Sequence, residues 1–386
     1  MRLDLENNSN LLLTDIIANC IKVNGGAITF AEFMELALYH PQYGYYTTKA
    51  VDIGAQGDFF TSPHLGKDFG ELLAVQFAQM WDIMGQPATF TLVEMGAGQG
   101  ILAVDLFKYL YKHYREFFNC LQYIIVEVSP GLKQQQQQLL QGVADKVKWC
   151  SLEEIPTDSI IGCAFSNELI DAMPINLFSL QDGQLGEIYV TSENNTFIEV
   201  VSAPSTPKIA QYFDLVGINL GQLASNYRSE INLAALEWLT TISQKLQQGY
   251  LLTIDYGYTA ARYYNPMRSQ GTLQCYYRHG YHNNPYINIG EQDITAHVDF
   301  TALERWGEQC GLQKVGFTQQ GLFLMALGLG ERIAANSTEN ANNLEQLLQR
   351  RETLHQLINP QGLGGFGVLV QSKGLLPNIP LKGMMA

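Results

Sequence analysis

The chain has 386 residues, 46% of them hydrophobic and 16% charged, and a formal net charge of −14. This supplies a sizeable core in slightly more length than one compact domain needs, and the acidic surface argues against nucleic acid as a partner, because it would repel a phosphate backbone. None of Cys20, Cys120, Cys150, Cys163, Cys275 and Cys310 forms a C-x-x-C pair, which leaves zinc and thioredoxin-type chemistry without support.

In chain order, residues 1–10 are polar and resemble neither a signal nor a transit peptide, and no apolar stretch is long enough for a bilayer, so a soluble cytoplasmic protein without membrane insertion is expected. Residues 11–85 read as helical, with Thr29 and Glu32 as a capping box ahead of Phe30, Phe33, Met34, Ala37 and Leu38 at helical spacing. A second helix carries Phe69, Leu72, Leu73, Phe77, Met80 and Trp81. Short apolar runs then alternate with helices. Strands are expected at 91–95, 123–128, 147–150, 160–166 and 250–254, with helices at 101–117, after Ser129-Pro130, and at 231–246. The glutamine run 134–138 is read as an exposed helix face. Residues 185–230 (a hairpin of 187–190 against 197–201, then a helix) and 256–298 interrupt the alternation and are read as insertions covering the active face. A helix at 300–310, a strand at 312–318, a helix at 338–358 and a strand at 366–371 complete the series. Alternation of this kind predicts an α/β fold with a parallel sheet that binds its ligand at the strand carboxyl ends. The expected organisation is a helical region 1–88, a core 89–374 with insertions at 185–230 and 256–298, and a tail 375–386.

Glu94-Met95-Gly96-Ala97-Gly98-Gln99-Gly100 lies between a predicted strand and helix. Glycines there permit a sharp turn and close approach to a ligand. The register is G-x-G-x-G, and Ile101 stands where the third glycine of a dinucleotide fingerprint belongs. Glu94 would sit poorly beside a pyrophosphate but suits an ammonium group, such as the methionine end of S-adenosylmethionine. In the stretch Val126-Glu127-Val128-Ser129, Glu127 can accept hydrogen bonds from two ribose hydroxyls. The loop Gly96, Ala97, Gly98 and Gly100, with Glu94, Glu127, Val128 and Asn167, is the expected cofactor site. Gly362, Gly364 and Gly367 match G-x-G-x-x-G literally, but they follow a helix and precede a strand, and are read as a turn.

Gly57-Asp58-Phe59-Phe60-Thr61-Ser62-Pro63 lies upstream of the alternation. Asn167-Glu168-Leu169-Ile170-Asp171 follows the fourth strand, Asp255-Tyr256-Gly257 ends the fifth, and His297 precedes a helix as either a proton acceptor or a structural imidazole. Methyl transfer mainly requires alignment and exclusion of water. A guanidinium nucleophile adds the problem of a pKa above about 12. Carboxylates holding its charge on the non-reacting nitrogens would help, and Glu168, Asp171 and Asp58 are the expected catalytic residues.

Together these stretches, with His40-Pro41, Gly44-Tyr45-Tyr46, Phe69-Gly70-Glu71-Leu72, Pro174, and Asp293-Ile294-Thr295 with Val298-Asp299-Phe300, run in order along most of the chain. They resemble the MidA-like methyltransferases, which include the mitochondrial complex I assembly-factor arginine methyltransferase. The resemblance implies a class I, Rossmann-like, seven-stranded methyltransferase core and S-adenosyl-L-methionine as cofactor. It also implies symmetric dimethylation of an arginine on a subunit of a complex I/NDH-like respiratory complex. Ala97 stands where the family has proline. Small-molecule methyl- or aminopropyl-transfer and a non-catalytic assembly chaperone that binds the cofactor stay open, as does a homodimer. An NAD-dependent dehydrogenase ranks last, on register.

Overall fold

The expected alternation closes into a seven-stranded sheet. Its strands are β1 (Phe90–Met95), β2 (Leu121–Val126), β3 (Val147–Trp149), β4 (Ile160–Asn167), β5 (Leu246–Asp255), β6 (Gln313–Gln319) and β7 (Gly367–Lys373). They lie in the order β6-β7-β5-β4-β1-β2-β3. Neighbours from β5 to β3 are parallel, and β7 alone runs antiparallel to β5 and β6. Strand order reverses between β1 and β4, which makes that junction the switch point where such a sheet binds its ligand. Every residue of β1 is buried, as a central parallel strand covered on both faces requires. The α/β class and the seven-stranded, mostly parallel sheet are as the sequence predicts.

The structure is a computed structural model that describes residues 7–48, 61–194, 196–278, 280–336, 344–376 and 379–385. The chain divides into two units. One gathers residues up to 59, 170–239 and 257–306; the other gathers 60–169, 240–256 and 307–386 and contains the seven-stranded sheet. The irregular segment 185–230 lies within the first unit, as does 257–298.

In the sheet unit, helix Asp68–Ile83 buries Phe69, Leu72, Leu73, Phe77 and Met80, the stripe its periodicity predicts. The single helix expected over 101–117 is instead two, Ile101–His113 and Arg115–Cys120, broken at Tyr114 with φ −136° and ψ 59°. Aromatic packing accounts for the break. Phe117 stacks on Trp81 at 5.4 Å and meets Phe90 edge-on at 5.2 Å, while Phe118 meets Phe107. Tertiary contacts of this size override helix propensity. Helices Gln320–Leu327 and Leu329–Asn336 add to the expected series, and the last helix is described over Leu344–Ile358, within the expected 338–358, residues 337–343 lying outside the described ones. The glycine-rich stretch 362–367 is a short 3-10 turn, Leu363–Gly365, before β7.

In the first unit, Thr29 caps helix Phe30–Tyr39 with the expected box, its hydroxyl accepting from the Glu32 backbone while Glu32 accepts from Thr29. The hairpin is Gln184–Glu193 against Thr196–Ser202, in antiparallel register. It belongs to a five-stranded sheet with Ile28–Thr29, Asn176–Gln181 and Arg228–Ile231. Helices Leu11–Val23 and Phe30–Tyr39 bury Leu13, Ile17, Phe30, Phe33 and Leu38 in the same core as Leu177 and Val190.

Candidate functional site

The carboxyl ends of β1, β2, β4 and β5 carry the residues that the sequence singles out in the sheet unit. After β1 the chain turns through Gly96, Gly98 and Gly100 at φ 72°, 53° and 81°, and helix Ile101–His113 begins at once. Left-handed backbone at three alternate positions is what L-residues other than glycine adopt at a cost. Two of the three are also tight. A Cβ on Gly96 would lie 2.9 Å from Leu169 Cδ1, and one on Gly100 would lie 3.2 Å from Gln136 Cγ. A Cβ on Gly98 would meet nothing within 4 Å, so this glycine faces open space. Ala97, between Gly96 and Gly98, is 9% exposed.

Glu94, just before the loop, turns its carboxyl group into the interior. It is 3% exposed, and its Oε2 accepts a 2.6 Å hydrogen bond from the Tyr123 hydroxyl. Register explains the partner: Leu92 pairs with Tyr123 on the adjacent parallel strand, so Tyr123 and Glu94 share a sheet face. Burial pushes the Glu94 carboxyl up to about 7, helped by the nearby charge of Glu127 and opposed by the Tyr123 hydrogen bond.

At the end of β2, Glu127 Oε1 accepts from the Ser129 backbone at 2.9 Å, and Oε2 accepts from Gln136 Nε2 at 3.0 Å. Burial raises its pKa, and those hydrogen bonds oppose the rise. Val128 beside it is 68% exposed. Ser129 caps helix Pro130–Leu139 as expected, its side chain accepting from Leu132 N–H.

In the glutamine run of that helix, Gln134, Gln137 and Gln138 are exposed as expected, and one residue departs from the pattern. Gln136 is fully buried rather than on an exposed face. Its Nε2 donates both to Glu127 and, at 2.7 Å, to the Gly98 carbonyl, and its Oε1 accepts from Trp149 Nε1 at 2.9 Å. A sequence signal existed: Leu132, Gln136 and Leu140 are four apart, and both leucines are buried.

Ends of β4 and β5 are stapled together. Asp255 is fully buried; its Oδ2 accepts from Leu169 N–H at 3.2 Å and its Oδ1 from Tyr256 N–H at 2.9 Å. Asn167 Nδ2 donates to Glu168 Oε1 at 3.1 Å, and Glu168 N–H donates to the Ile254 carbonyl. Glu168 sits at φ 53°, a left-handed conformation that costs a residue with a side chain roughly 1–3 kcal/mol. The Asn167 Oδ1 atom is buried and accepts no hydrogen bond among the described residues.

His64 is a residue of this region that no sequence motif marks. It lies in the 3-10 turn Ser62–Leu65, with Nδ1 2.7 Å from Thr61 Oγ1. Burial lowers its pKa, and a side-chain hydrogen bond to Gln99, in the glycine loop, opposes that. The stretch around Thr61-Ser62-Pro63 thus packs onto the loop that it precedes by some thirty residues in sequence, and Gln320 anchors it through Ser62 Oγ at 3.0 Å.

The three expected catalytic carboxylates are not gathered in one unit. Glu168 belongs to the sheet unit. Asp171 belongs to the first unit, where it is 7% exposed, adds its charge to the burial that chiefly raises the pKa of the Tyr46 and Tyr276 hydroxyls, and accepts from Ala296 N–H through its backbone carbonyl. Asp58 lies outside the described residues. His297 is stacked on Tyr258 at 5.0 Å, and burial together with Arg268 and Arg262 lowers its pKa to about 4. An imidazole held neutral against two guanidinium groups fits the structural alternative.

Residues 72–318 match a family model described as "Putative S-adenosyl-L-methionine-dependent methyltransferase". A Burkholderia thailandensis protein crystallised with S-adenosyl-homocysteine is 29% identical, with a TM-score of 0.84 over 97% of this chain and 95% of that one. A native crystal structure from the same organism is 31% identical over 97% and 94%, also with a TM-score of 0.84. Among curated relatives, the Drosophila melanogaster protein named protein arginine methyltransferase NDUFAF7 homolog, mitochondrial, is 29% identical over 78% of this chain and 72% of its own. The Homo sapiens protein arginine methyltransferase NDUFAF7, mitochondrial, is 27% identical over 88% and 78%. With this match over more than half its length, and with the glycine loop at the switch point of a seven-stranded sheet, the chain belongs to this family of S-adenosyl-L-methionine-dependent methyltransferases.

Proposed function

We propose that this methyltransferase acts on an arginine side chain of a protein substrate, dimethylating it symmetrically, and that the substrate is a subunit of a complex I/NDH-like respiratory complex. The reading rests chiefly on one observation: the curated relatives that align with most of this chain carry the name protein arginine methyltransferase.

We further propose which residues hold the cofactor: Glu94, Gly96, Ala97, Gly98, Gly100, Glu127, Val128 and Asn167. Three features support the fit. Gly98 turns toward open space in a backbone form that leaves its surface bare. Glu127 is held at the end of β2 by hydrogen bonds from the Ser129 and Val128 backbone and from Gln136 Nε2, and its carboxylate, with two oxygens, keeps acceptor capacity for a ribose hydroxyl. Asn167 offers a buried acceptor. When bound, the cofactor supplies a methyl group on a sulfonium, and the protein's task is alignment and exclusion of water.

Glu168 is the proposed guanidinium ligand in the sheet unit. Its carboxylate is oriented by Asn167 and carried on a strained backbone, a combination found where position matters more than local stability. Holding the positive charge on the two non-reacting nitrogens leaves the third to attack; that nitrogen gains a methyl group and sheds one proton per transfer. Asp171 is proposed as a second carboxylate for the substrate, within the first unit. Glu168→Gln keeps the shape and removes the charge. It is expected to lower kcat at least about tenfold, with KM for the cofactor within about twofold, because the lost interaction belongs to the transition state.

The test is incubation with methyl-labelled cofactor and a cell extract, followed by acid hydrolysis of labelled protein. One labelled protein band that yields symmetric dimethylarginine is expected. Label confined to small molecules would favour small-molecule methylation. No label, with S-adenosyl-homocysteine bound in calorimetry, would favour a chaperone.

A further inference from the structure

Resting on the cofactor reading above, we infer that Gln136 is a positioning residue for S-adenosyl-L-methionine: its amide fixes the glycine loop and the ribose-binding carboxylate in the relative geometry that the ligand needs.

A glutamine amide has two donors and one acceptor group, and its orientation is set by what it meets. Here the orientation follows from chemistry. Trp149 Nε1 can only donate, so the atom it meets at 2.9 Å must be Oε1. That leaves Nε2 facing two acceptors and no donor: the Gly98 carbonyl at 2.7 Å and Glu127 Oε2 at 3.0 Å. Two N–H groups serve two acceptors, so the amide is fully used. One acceptor is the middle glycine of the loop after β1, and the other is the acid after β2. These two segments are 29 positions apart in sequence, from residue 98 to residue 127, and a single fully buried side chain ties them together. Helix Pro130–Leu139 holds that side chain rigidly between buried Leu132 and Leu140.

The same contact explains Gly100. Its φ of 81° already favours glycine, and a Cβ there would press on Gln136 Cγ at 3.2 Å. Glycine at 100 lets helix Pro130–Leu139 come close enough for the amide to reach the loop.

The alternative is that Gln136 only satisfies Trp149 and fills space. The two roles differ in what they require of the side chain. A space-filling role needs shape and the Trp149 acceptor; a positioning role needs the donors. Gln136→Met keeps volume and loses both hydrogen-bonding functions. Gln136→Glu keeps volume and an acceptor for Trp149, replaces the donors by an acceptor, and adds a negative charge against Glu127.

Binding of S-adenosyl-homocysteine to the full-length protein, measured by calorimetry, is the direct test, with cofactor KM and kcat as the second readout. For Gln136→Met the Kd is expected to rise about tenfold, and for Gln136→Glu by more than for Met. In both, KM for the cofactor rises with Kd while kcat at saturation stays within about twofold, since the loss is of uniform binding. Trp149→Phe, which frees the amide to rotate, is expected to weaken binding about threefold. The inference is overturned if Gln136→Met binds as the native protein does, or if Gln136→Glu binds better than Gln136→Met. It is also overturned if kcat falls in step with 1/KM in both variants as their melting temperatures drop. A native protein that fails to bind S-adenosyl-homocysteine at all would overturn the cofactor assignment itself, a result that the native control gives before any variant is compared.

Discussion

Replacing Gly98 by valine is expected to weaken S-adenosyl-homocysteine binding at least about a hundredfold while the protein stays folded. The two halves of that expectation have separate causes. In the ligand-free protein a Cβ at this position meets nothing within 4 Å, so valine creates no clash. The cost to folding is the conformational one of placing a β-branched residue at φ 53°, about 1–2 kcal/mol, on a loop tip. Binding suffers more. The new side chain projects into the space over the loop, and any relaxation of φ toward negative values turns the Gly98 carbonyl away from Gln136 Nε2, undoing the link to Glu127. Calorimetry for binding and thermal melting for the fold separate the effects. Gly98→Ala should fall between, with the strain but less bulk. A valine variant that binds within about threefold of the native protein would remove the loop from the cofactor site.

Much of the sheet and its loop is legible in the sequence, and the exceptions have identifiable causes. Parallel strands announce themselves as short buried runs, and β1, β2, β4 and β5 were found to within a few residues. The register G-x-G-x-G predicted three positions with special backbone, and all three have positive φ. Glu127 and Asn167-Glu168 are picked out because strand ends in such a sheet face a ligand, and they do stand at the carboxyl ends of β2 and β4. What escaped was long-range pairing. Gln136 was hidden by its neighbours: a run of five glutamines reads as a polar face, and only the spacing of Leu132 and Leu140 marks the one turned inward. His64 escaped because no local pattern connects it to Gln99. Glu94 stands out as an acid just before the loop, but that cross-strand register with Tyr123 takes its carboxyl group into the interior is a long-range fact that the local sequence does not carry. Asp171 stands three residues after Glu168 yet is assigned to the other unit, a division that no feature of the stretch 167–171 announces.

The burial of Glu94 leads to the second large effect, which is read in pH. Its carboxyl has a folded pKa of about 7 against an ordinary value of 4.5, with burial the main cause. A raised acid pKa means that the folded protein holds a proton that the unfolded chain has already released. The stabilisation is complete below about pH 4.5 and is lost as pH rises through about 7, and its full span is roughly 3 kcal/mol. Glu94→Gln removes the titration. The amide can still accept from Tyr123, while its own N–H groups have to be accommodated in the interior, a cost that does not vary with pH. The stability difference between variant and native protein should therefore shift in favour of the variant between about pH 5 and about pH 8, whatever its sign at either end. Thermal melting of the ligand-free proteins across that range checks it, and parallel curves would refute the raised pKa. The same group then reports on the ligand. If the carboxylate faces the ammonium of S-adenosyl-homocysteine, binding pulls its pKa down and expels the proton. Near pH 7 the native protein should release about half a proton per ligand bound, and Glu94→Gln should release none. Calorimetry in buffers of different ionisation enthalpy measures this directly. Equal proton release from both proteins would leave Glu94 as an interior partner of Tyr123 and take the ammonium elsewhere on the loop.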